Sequence, residues 1–138
     1  MSKLRLIAHS AEDIPVVSAA VQDAILKVGD IRFDKKRRFL SIRLSRFRHE
    51  SPEATRIETG LRIDGVLDVK SKGIDRSDAD GLAVLLGVKF NKANPPGGDI
   101  EITFAGGGVM LLSVEAVDIM LADVGEPRTT KSIPNHEG

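Results

Sequence analysis

The residues with the clearest chemical potential lie in one basic stretch, residues 32–48. This stretch carries eight of the chain's 20 Lys and Arg residues and a single acid, Asp34, so its formal charge is +7. Because the 138-residue chain has a formal net charge of zero, the rest of the chain carries −7. Cations beside phenylalanines on a strand can bind phosphates, stacked bases or an acidic protein surface. The candidate surface consists of Arg32, Lys35, Lys36, Arg37, Arg38, Phe39, Arg43, Arg46, Phe47 and Arg48.

Three interpretations of this stretch remain open. The arginines can pair with the chain's own surplus acids, with Phe39 and Phe47 covered by a second layer or a subunit. They can instead bind an anionic protein or a small anion. The third interpretation is nucleic-acid binding, mainly through Arg43, Arg46 and Arg48, although the stretch lacks the glycines of an RNA-recognition motif. A pI near 6.8 confines any such attraction to this stretch, and the sequence favours the first interpretation.

Two other segments have the composition of ligand-binding loops. Gly106 to Gly108 could cradle a phosphate, but phosphate loops lead into a helix, whereas residues 109–113 predict a strand. The glycines therefore predict a hairpin turn. Residues 75–80 contain three aspartates, but two carboxylate positions of a calcium loop are missing, which indicates a solvated loop.

Catalytic and metal-binding signatures are not recognisable in the sequence. His9, His49 and His136 lack metal-ligand spacing, no serine lies in a Gly-x-Ser-x-Gly turn, and cysteine is absent. We therefore expect no cofactor and no metal. An enzyme whose site is assembled only by the fold remains an alternative, because catalytic groups need not be close in sequence.

Composition indicates one globular domain. Hydrophobic residues make up 41% and charged residues 29%, and no apolar run approaches the roughly 18 residues of a membrane-spanning helix. The N-terminus does not resemble a signal peptide, so we expect a cytoplasmic protein with no membrane partner. We assign residues 1–125 to a single α+β domain and residues 126–138 to a polar, flexible tail.

Hydrophobic periodicity predicts the elements that position the basic stretch. The pattern indicates a helix over residues 11–23, with Pro15 in its first turn if it begins at Asp13. Residues 25–33 and 37–48 form a predicted hairpin around the turn 34–36. Residues 57–69 form either one long strand that bends at Gly65 or two strands joined by a three-residue loop that preserves the alternation. Further strands are predicted at 82–90, 100–104 and 109–113. A closing amphipathic helix is predicted over residues 114–124, with Gly125 as its cap.

These elements predict a mainly antiparallel, curled sheet or open barrel of about six to seven strands. One helix lies near the N-terminus and an amphipathic helix closes the chain, an arrangement similar to a pleckstrin-homology-like barrel. Within the basic strand, alternation directs Leu40, Ile42 and Leu44 toward the core. Phe39 and Arg43 then face the other way.

A family resemblance covers nearly the whole chain, from about Leu4 to Pro127. It is carried by the pairs Arg38-Phe39 and Arg46-Phe47 together with residues 21–24, 27–30, 69–74, 103–108 and 121–125. These segments resemble a family of small bacterial proteins catalogued as a domain of unknown function. The resemblance implies a one-domain bacterial protein, and it transfers no activity and no site residue.

The function that the sequence favours is that of a non-catalytic binding or regulatory module. We expect it to act through protein–protein contacts, with a homodimer as one form of partnership. Binding of nucleic acid or of a small anion through residues 32–48 is the alternative, and an enzyme is the second alternative.

Overall fold

The computed structural model describes residues 3–130, which form an α+β fold with one α-helix and eleven strands. The helix α1 spans Ile14–Val21 and follows a short 3₁₀ turn, Ala11–Asp13. The strands are β1 (Arg5–Ala8), β2 (Ile25–Lys27), β3 (Ile31–Asp34), β4 (Phe39–Phe47), β5 (Thr55–Asp64), β6 (Val66–Lys72), β7 (Leu82–Lys92), β8 (Gly98–Phe104), β9 (Val109–Val114), β10 (Ile119–Asp123) and β11 (Arg128–Thr129).

The strands form one mostly open, curled sheet in which every pairing is antiparallel. Their order is β1-β10-β5-β4-β2-β7-β8-β9-β6, with β3 also pairing with β4 and β11 with β5. Only Gly65, at φ +69°, separates β5 from β6. The prediction of one long strand bent at this glycine is confirmed. Because of the bend, one continuous stretch of chain supplies β5, which is third in the strand order, and β6, which lies at its far end, and the sheet curls.

The core lies between the inward faces of the strands and α1. Alternate residues of each strand point inward because the side-chain period of a strand is two. The predicted core residues of β4, Leu40, Ile42 and Leu44, are all buried. The helix adds Ile14, Val17 and Val21. Its first turn contains Pro15, as the sequence predicted, because a proline there has no backbone bond to lose.

The predicted C-terminal helix over residues 114–124 is wrong. Within residues 3–130 the chain after β9 continues into the strand β10, which pairs with β5 on one side and β1 on the other. Val117, Ile119 and Leu121 are buried at a period of two. Over so short a segment, the spacing of the apolar residues fits both the helical period of 3.6 and the strand period of two. The segment forms a strand because β5 offers backbone hydrogen-bond partners along its edge.

The predicted strand count of six to seven is also wrong, since the described residues form eleven strands. The predicted strand over residues 25–33 is divided by a 3₁₀ turn at Val28–Asp30 into β2 and β3. The strand that bends at Gly65 is counted as two strands, β5 and β6. Strand β10 lies where a helix was predicted, and β11 lies in the predicted tail. The predicted tail, residues 126–138, is described only to Thr130, whose amide donates to the carbonyl of Ala54. Residues 131–138, including His136, lie outside the described residues.

Candidate functional site

Strand β4 presents the predicted site residues on two opposite faces. Arg46 and Arg48 share the inward alternation of Leu44, and both are buried, with Arg46 0% exposed. Phe39 and Arg43 lie on the outward face. The expectation that Arg43, Arg46 and Arg48 act together at the surface is therefore wrong for two of the three.

Arg46 lies at the centre of a buried clasp, which we define as Arg46, Glu50, Thr59 and Asp123. Its Nε and Nη2 atoms donate to the Asp123 carboxylate at 3.1 and 2.8 Å, and its Nη1 and Nη2 atoms donate to Glu50, each at 2.9 Å. Asp123 also accepts hydrogen bonds from the Thr59 hydroxyl at 2.8 Å and from the Leu4 amide at 2.7 Å. The clasp joins β4, β5, β10 and the segment that precedes β1.

The charges of the clasp stabilise one another. Burial by itself raises the pKa of Asp123, but the hydrogen bonds from Arg46, Leu4 and Thr59 outweigh burial and hold the pKa below its ordinary value. The hydrogen bond from Arg46 lowers the pKa of Glu50. Burial opposes the charge of Arg46, but its bonds to both carboxylates raise the pKa above the ordinary value. All three groups are therefore charged near neutral pH, and the arginine donates four hydrogen bonds to carboxylates of its own chain.

The two outward phenylalanines are partly covered by arginines of the neighbouring strand β5. The Arg62 guanidinium lies 3.9 Å from the centre of the Phe39 ring, and that of Arg56 lies 5.6 Å from the centre of the Phe47 ring. His49 also contacts Phe47 edge-on, at 5.0 Å between ring centres. These cation–π contacts occupy ring faces on which a base would stack.

Three arginines on the outward face surround a depression of about 520 Å³. The register places Arg32 of β3 and Arg62 of β5 on either side of Ser41, and Arg43 opposite Gly60. Neighbouring strands are about 4.8 Å apart, so Arg32 and Arg62 begin roughly 10 Å from each other. We call this site the arginine depression and define it by these five residues. Its floor is low because Ser41 and Gly60 carry almost no side chain.

The arginines of the depression are unequally compensated. Arg43 pairs with Glu58 at 2.9 Å, and Arg62 pairs with Asp64 at 3.0 Å, which raises the pKa of Arg62. Arg32 is exposed, and within residues 3–130 its side chain forms no hydrogen bond or ion pair; Asp30 also lines the depression. A Cβ atom added at Gly60 would meet nothing within 4 Å. The site therefore combines one arginine without an ion pair in residues 3–130, two arginines in exposed ion pairs, and open space.

The remaining predicted cations lie at the β3–β4 turn. Lys35, Lys36 and Arg37 are exposed, and in the described part of the chain their side chains form no ion pair. Arg38 pairs with Glu115 at 2.8 Å. The turn spans residues 35–38 between the two strands, so it begins one residue later and ends two residues later than the predicted turn 34–36.

Sequence reasoning missed Arg62 and Gly60 as members of a site. The sequence predicted a strand over residues 57–69, but it did not say which strand lies beside it. Gly106 to Gly108 form the predicted hairpin turn between β8 and β9. Asp75 accepts hydrogen bonds from Ser77, and no group of three or more His, Asp or Glu side chains in residues 3–130 is placed to hold a metal ion.

None of the helices in the described residues has the length and apolar character needed to cross a bilayer.

Comparisons with other proteins identify a family but assign no function. Neither a curated protein nor a solved structure matches the chain. A family model matches residues 4–136, nearly the whole length. The chain therefore belongs to the family described as protein of unknown function (DUF2948).

Proposed function

We propose that this protein is a non-catalytic binding module and that the arginine depression receives an anionic group of a partner protein. The observation that carries the proposal is the convergence of Arg32, Arg43 and Arg62, from three adjacent strands, around the low floor at Ser41 and Gly60. Guanidinium groups bind carboxylates and phosphates in two-point contacts. Arg32 offers such a contact without losing any partner in residues 3–130.

The other two arginines can exchange their partners at small cost. The Glu58 and Asp64 side chains are 47% and 35% exposed, and surface ion pairs contribute about 0–1 kcal/mol. An incoming anion can therefore replace either carboxylate and gain a charged contact. The same hairpin carries further positive charge at its turn, where Lys35, Lys36 and Arg37 form no ion pair within residues 3–130.

Nucleic-acid binding is less well supported than an anionic protein partner. Arg46 is buried and bound to Asp123 and Glu50, Arg48 is buried, and the rings of Phe39 and Phe47 lie against arginines. Binding of single-stranded nucleic acid generally needs both a cationic track and free aromatic faces. Strand β4 contributes one cation, Arg43, to the outward face, and each of its two rings is partly covered by an arginine.

The test is a titration of the purified protein with a synthetic peptide of repeated glutamate and aspartate, followed by NMR of the backbone amides. Gly60→Val should abolish the shifts around Ser41 and Arg43, because the valine fills the floor, removes no charge and suits a strand. Arg32→Gln should weaken binding about tenfold, as expected for one charged contact worth about 1.4 kcal/mol. Lys70→Gln, with the same charge change on the exposed strand β6, is the matched control and should bind as the wild type does.

Two further probes distinguish the sources of the anion. Inorganic tripolyphosphate tests a small phosphate ligand, and a mixed-sequence oligonucleotide tests nucleic acid. If neither Gly60→Val nor Arg32→Gln changes the affinity for the peptide, the depression is not the binding site. Tight, salt-sensitive binding of the oligonucleotide alone would replace the protein partner by nucleic acid.

A further inference from the structure

A second depression, of about 360 Å³, adjoins the arginine depression on the outward face of the sheet. Arg43 and Asp30 line both depressions, so the two are continuous. Ser41 lies in the floor of the arginine depression, and Ser45 lines the second depression. The two serines lie on the same face of β4, four residues apart, so the depressions follow each other along the strand at a distance of roughly 13 Å.

The second depression has two cations of its own, one on each side of the β4–β5 pair. Lys27 ends strand β2, which pairs with β4 at Ser45. Arg128 begins strand β11, which pairs with the opposite edge of β5. Both side chains are exposed, and neither forms a hydrogen bond or an ion pair within residues 3–130. An anion that enters between them can therefore bind both without displacing a partner in this part of the chain.

The side chains around the two depressions carry a surplus of positive charge. Five cations line the depressions against two acids, which gives the lining a formal charge of +3. The cations are Lys27, Arg32, Arg43, Arg62 and Arg128, and the acids are Asp30 and Glu58. Three of the five cations, Lys27, Arg32 and Arg128, form no ion pair within residues 3–130. Charge complementarity therefore favours an occupant that places one anionic group in each depression.

The position of Glu58 limits how the charges of the occupant can be spaced. Its side chain is 47% exposed, and its carboxylate accepts a hydrogen bond from Arg43 at 2.9 Å. Because Arg43 lines both depressions, this carboxylate lies at their boundary. A chain of closely spaced phosphates would put a negative charge against Glu58, whereas a peptide can carry a neutral side chain at this point. The boundary thus favours two separated anionic groups over a continuous polyanion.

We propose that the two depressions bind one extended segment of a partner protein, in which two acidic side chains are four residues apart. One carboxylate lies between Arg32 and Arg62, and the other lies between Lys27 and Arg128. Side chains four residues apart in an extended chain point to the same side and are roughly 13 Å apart, which matches the spacing of the depressions. This inference rests on the function proposed for the arginine depression and adds to it a second site and a defined spacing.

The experiment compares three capped nonapeptides of threonine and serine, titrated into the full chain and followed by NMR of the backbone amides. The first peptide carries two glutamates four residues apart, the second carries two glutamates two residues apart, and the third carries one glutamate. The first should shift the amides of both Ser41 and Ser45 and bind about tenfold more tightly than the third, because its second carboxylate gains two cations. The second should bind no more tightly than the third, since its second carboxylate meets Glu58.

Variants assign the contacts of the second carboxylate. The double variant Lys27→Gln, Arg128→Gln should bind the first peptide about tenfold more weakly and change the affinity for the third by no more than about twofold. Glu58→Gln should strengthen the binding of the second peptide about fivefold, because the repelling carboxylate is gone. Glu115→Gln is the matched control and should have no effect, since Glu115 also pairs with an exposed arginine, Arg38, but lies outside both depressions.

The outcomes distinguish this site from the arginine depression alone. If Arg32→Gln weakens all three peptides but the first two bind equally well, the second depression is not part of the site, whereas the arginine depression still binds. If Arg32→Gln weakens none of them, or none binds at millimolar concentration, neither depression receives a carboxylate. A mixed-sequence oligonucleotide that binds more tightly than the first peptide, and loses affinity in Lys27→Gln, Arg128→Gln, would replace the acidic segment by nucleic acid.

Discussion

Arg43 and Arg46 lie three residues apart on the same strand and have opposite surroundings. Arg46 is fully buried and donates four hydrogen bonds to the carboxylates of Asp123 and Glu50. The side chain of Arg43 is 56% exposed and has one carboxylate partner, Glu58, which is itself half exposed. The odd spacing of the two residues on a strand of period two places them on opposite faces.

The comparison shows how little the charge of a sequence stretch says about exposed charge. Two of the eight cations in residues 32–48 are buried, and Arg38 and Arg43 have ion-pair partners. Four cations remain without an ion pair in residues 3–130, namely Arg32, Lys35, Lys36 and Arg37. The charge of Arg46 is therefore used within the fold, whereas Arg32 on the outward face has no ion pair within residues 3–130.

The largest expected effect is that of Arg46→Met, which removes the centre of the clasp. Asp123 would remain buried without its cation, and breaking a buried ion pair on one side costs about 3–5 kcal/mol. Urea denaturation should show this loss in the free energy of unfolding. Arg43→Met, the same change on the outward face, should cost less than about 1 kcal/mol. Equal losses would show that the two arginines do not differ as described.

The next effect is that of Asp123→Asn, which keeps the volume of the side chain and removes its charge. We expect a loss of about 1–3 kcal/mol near neutral pH, since a buried charged hydrogen bond becomes a neutral one and Arg46 retains only Glu50 as a charged partner. The measurement is the free energy of unfolding of both proteins as a function of pH.

The pH dependence of that difference has a defined sign. The folded pKa of Asp123 is lowered, so its contribution is complete above the unfolded pKa of about 4 and disappears as the pH falls through the folded value. Asparagine does not titrate. The advantage of the wild type should therefore shrink between about pH 5 and pH 2. An advantage that grows on acidification would contradict the ion pair.

Local pattern predicted the parts of the fold that depend on neighbours in sequence. The β3–β4 hairpin, the core residues Leu40, Ile42 and Leu44, and the bend at Gly65 follow from alternation and from the conformational freedom of glycine. The clasp could not be found in this way, because Asp123 lies 77 residues from Arg46 in sequence. The wrong prediction of a helix over residues 114–124 has the same cause, because residues 119–123 form a strand by pairing with β5, which is distant in sequence.

Only part of the arginine depression could be predicted, because its residues come from strands that are distant in sequence. Arg32 and Arg43 were assigned to a candidate surface from charge alone, and alternation placed Arg43 outward. Arg62 and Gly60 became members only through the pairing of β4 with β5. Alternation also puts Arg46 on the same side as Leu44, so its burial could be read from the spacing, but its partners could not.

A smaller effect is expected for Glu50→Gln. Glu50 is the solvent-facing partner of the clasp, with a side chain 46% exposed, so water can replace part of what is lost. We expect a loss of about 0.5–1.5 kcal/mol, the usual net value of a hydrogen bond. The measurement is again urea denaturation, alongside Asp123→Asn. A loss larger than that of Asp123→Asn would mean that the exposed carboxylate, and not the buried one, holds Arg46 in place.

The smallest effect is expected for Arg43→Gln, which should change the free energy of unfolding by no more than about 0.5 kcal/mol. Its pair with Glu58 lies in solvent, where a Debye length of about 3 Å at 1 M salt screens the attraction. Urea denaturation in 1 M NaCl should therefore make Arg43→Gln indistinguishable from the wild type, whereas most of the loss in Arg46→Met should persist because Arg46 and Asp123 are buried. A salt-resistant loss at Arg43 would mean that this arginine also serves the fold and that less of the outward face is free for a ligand.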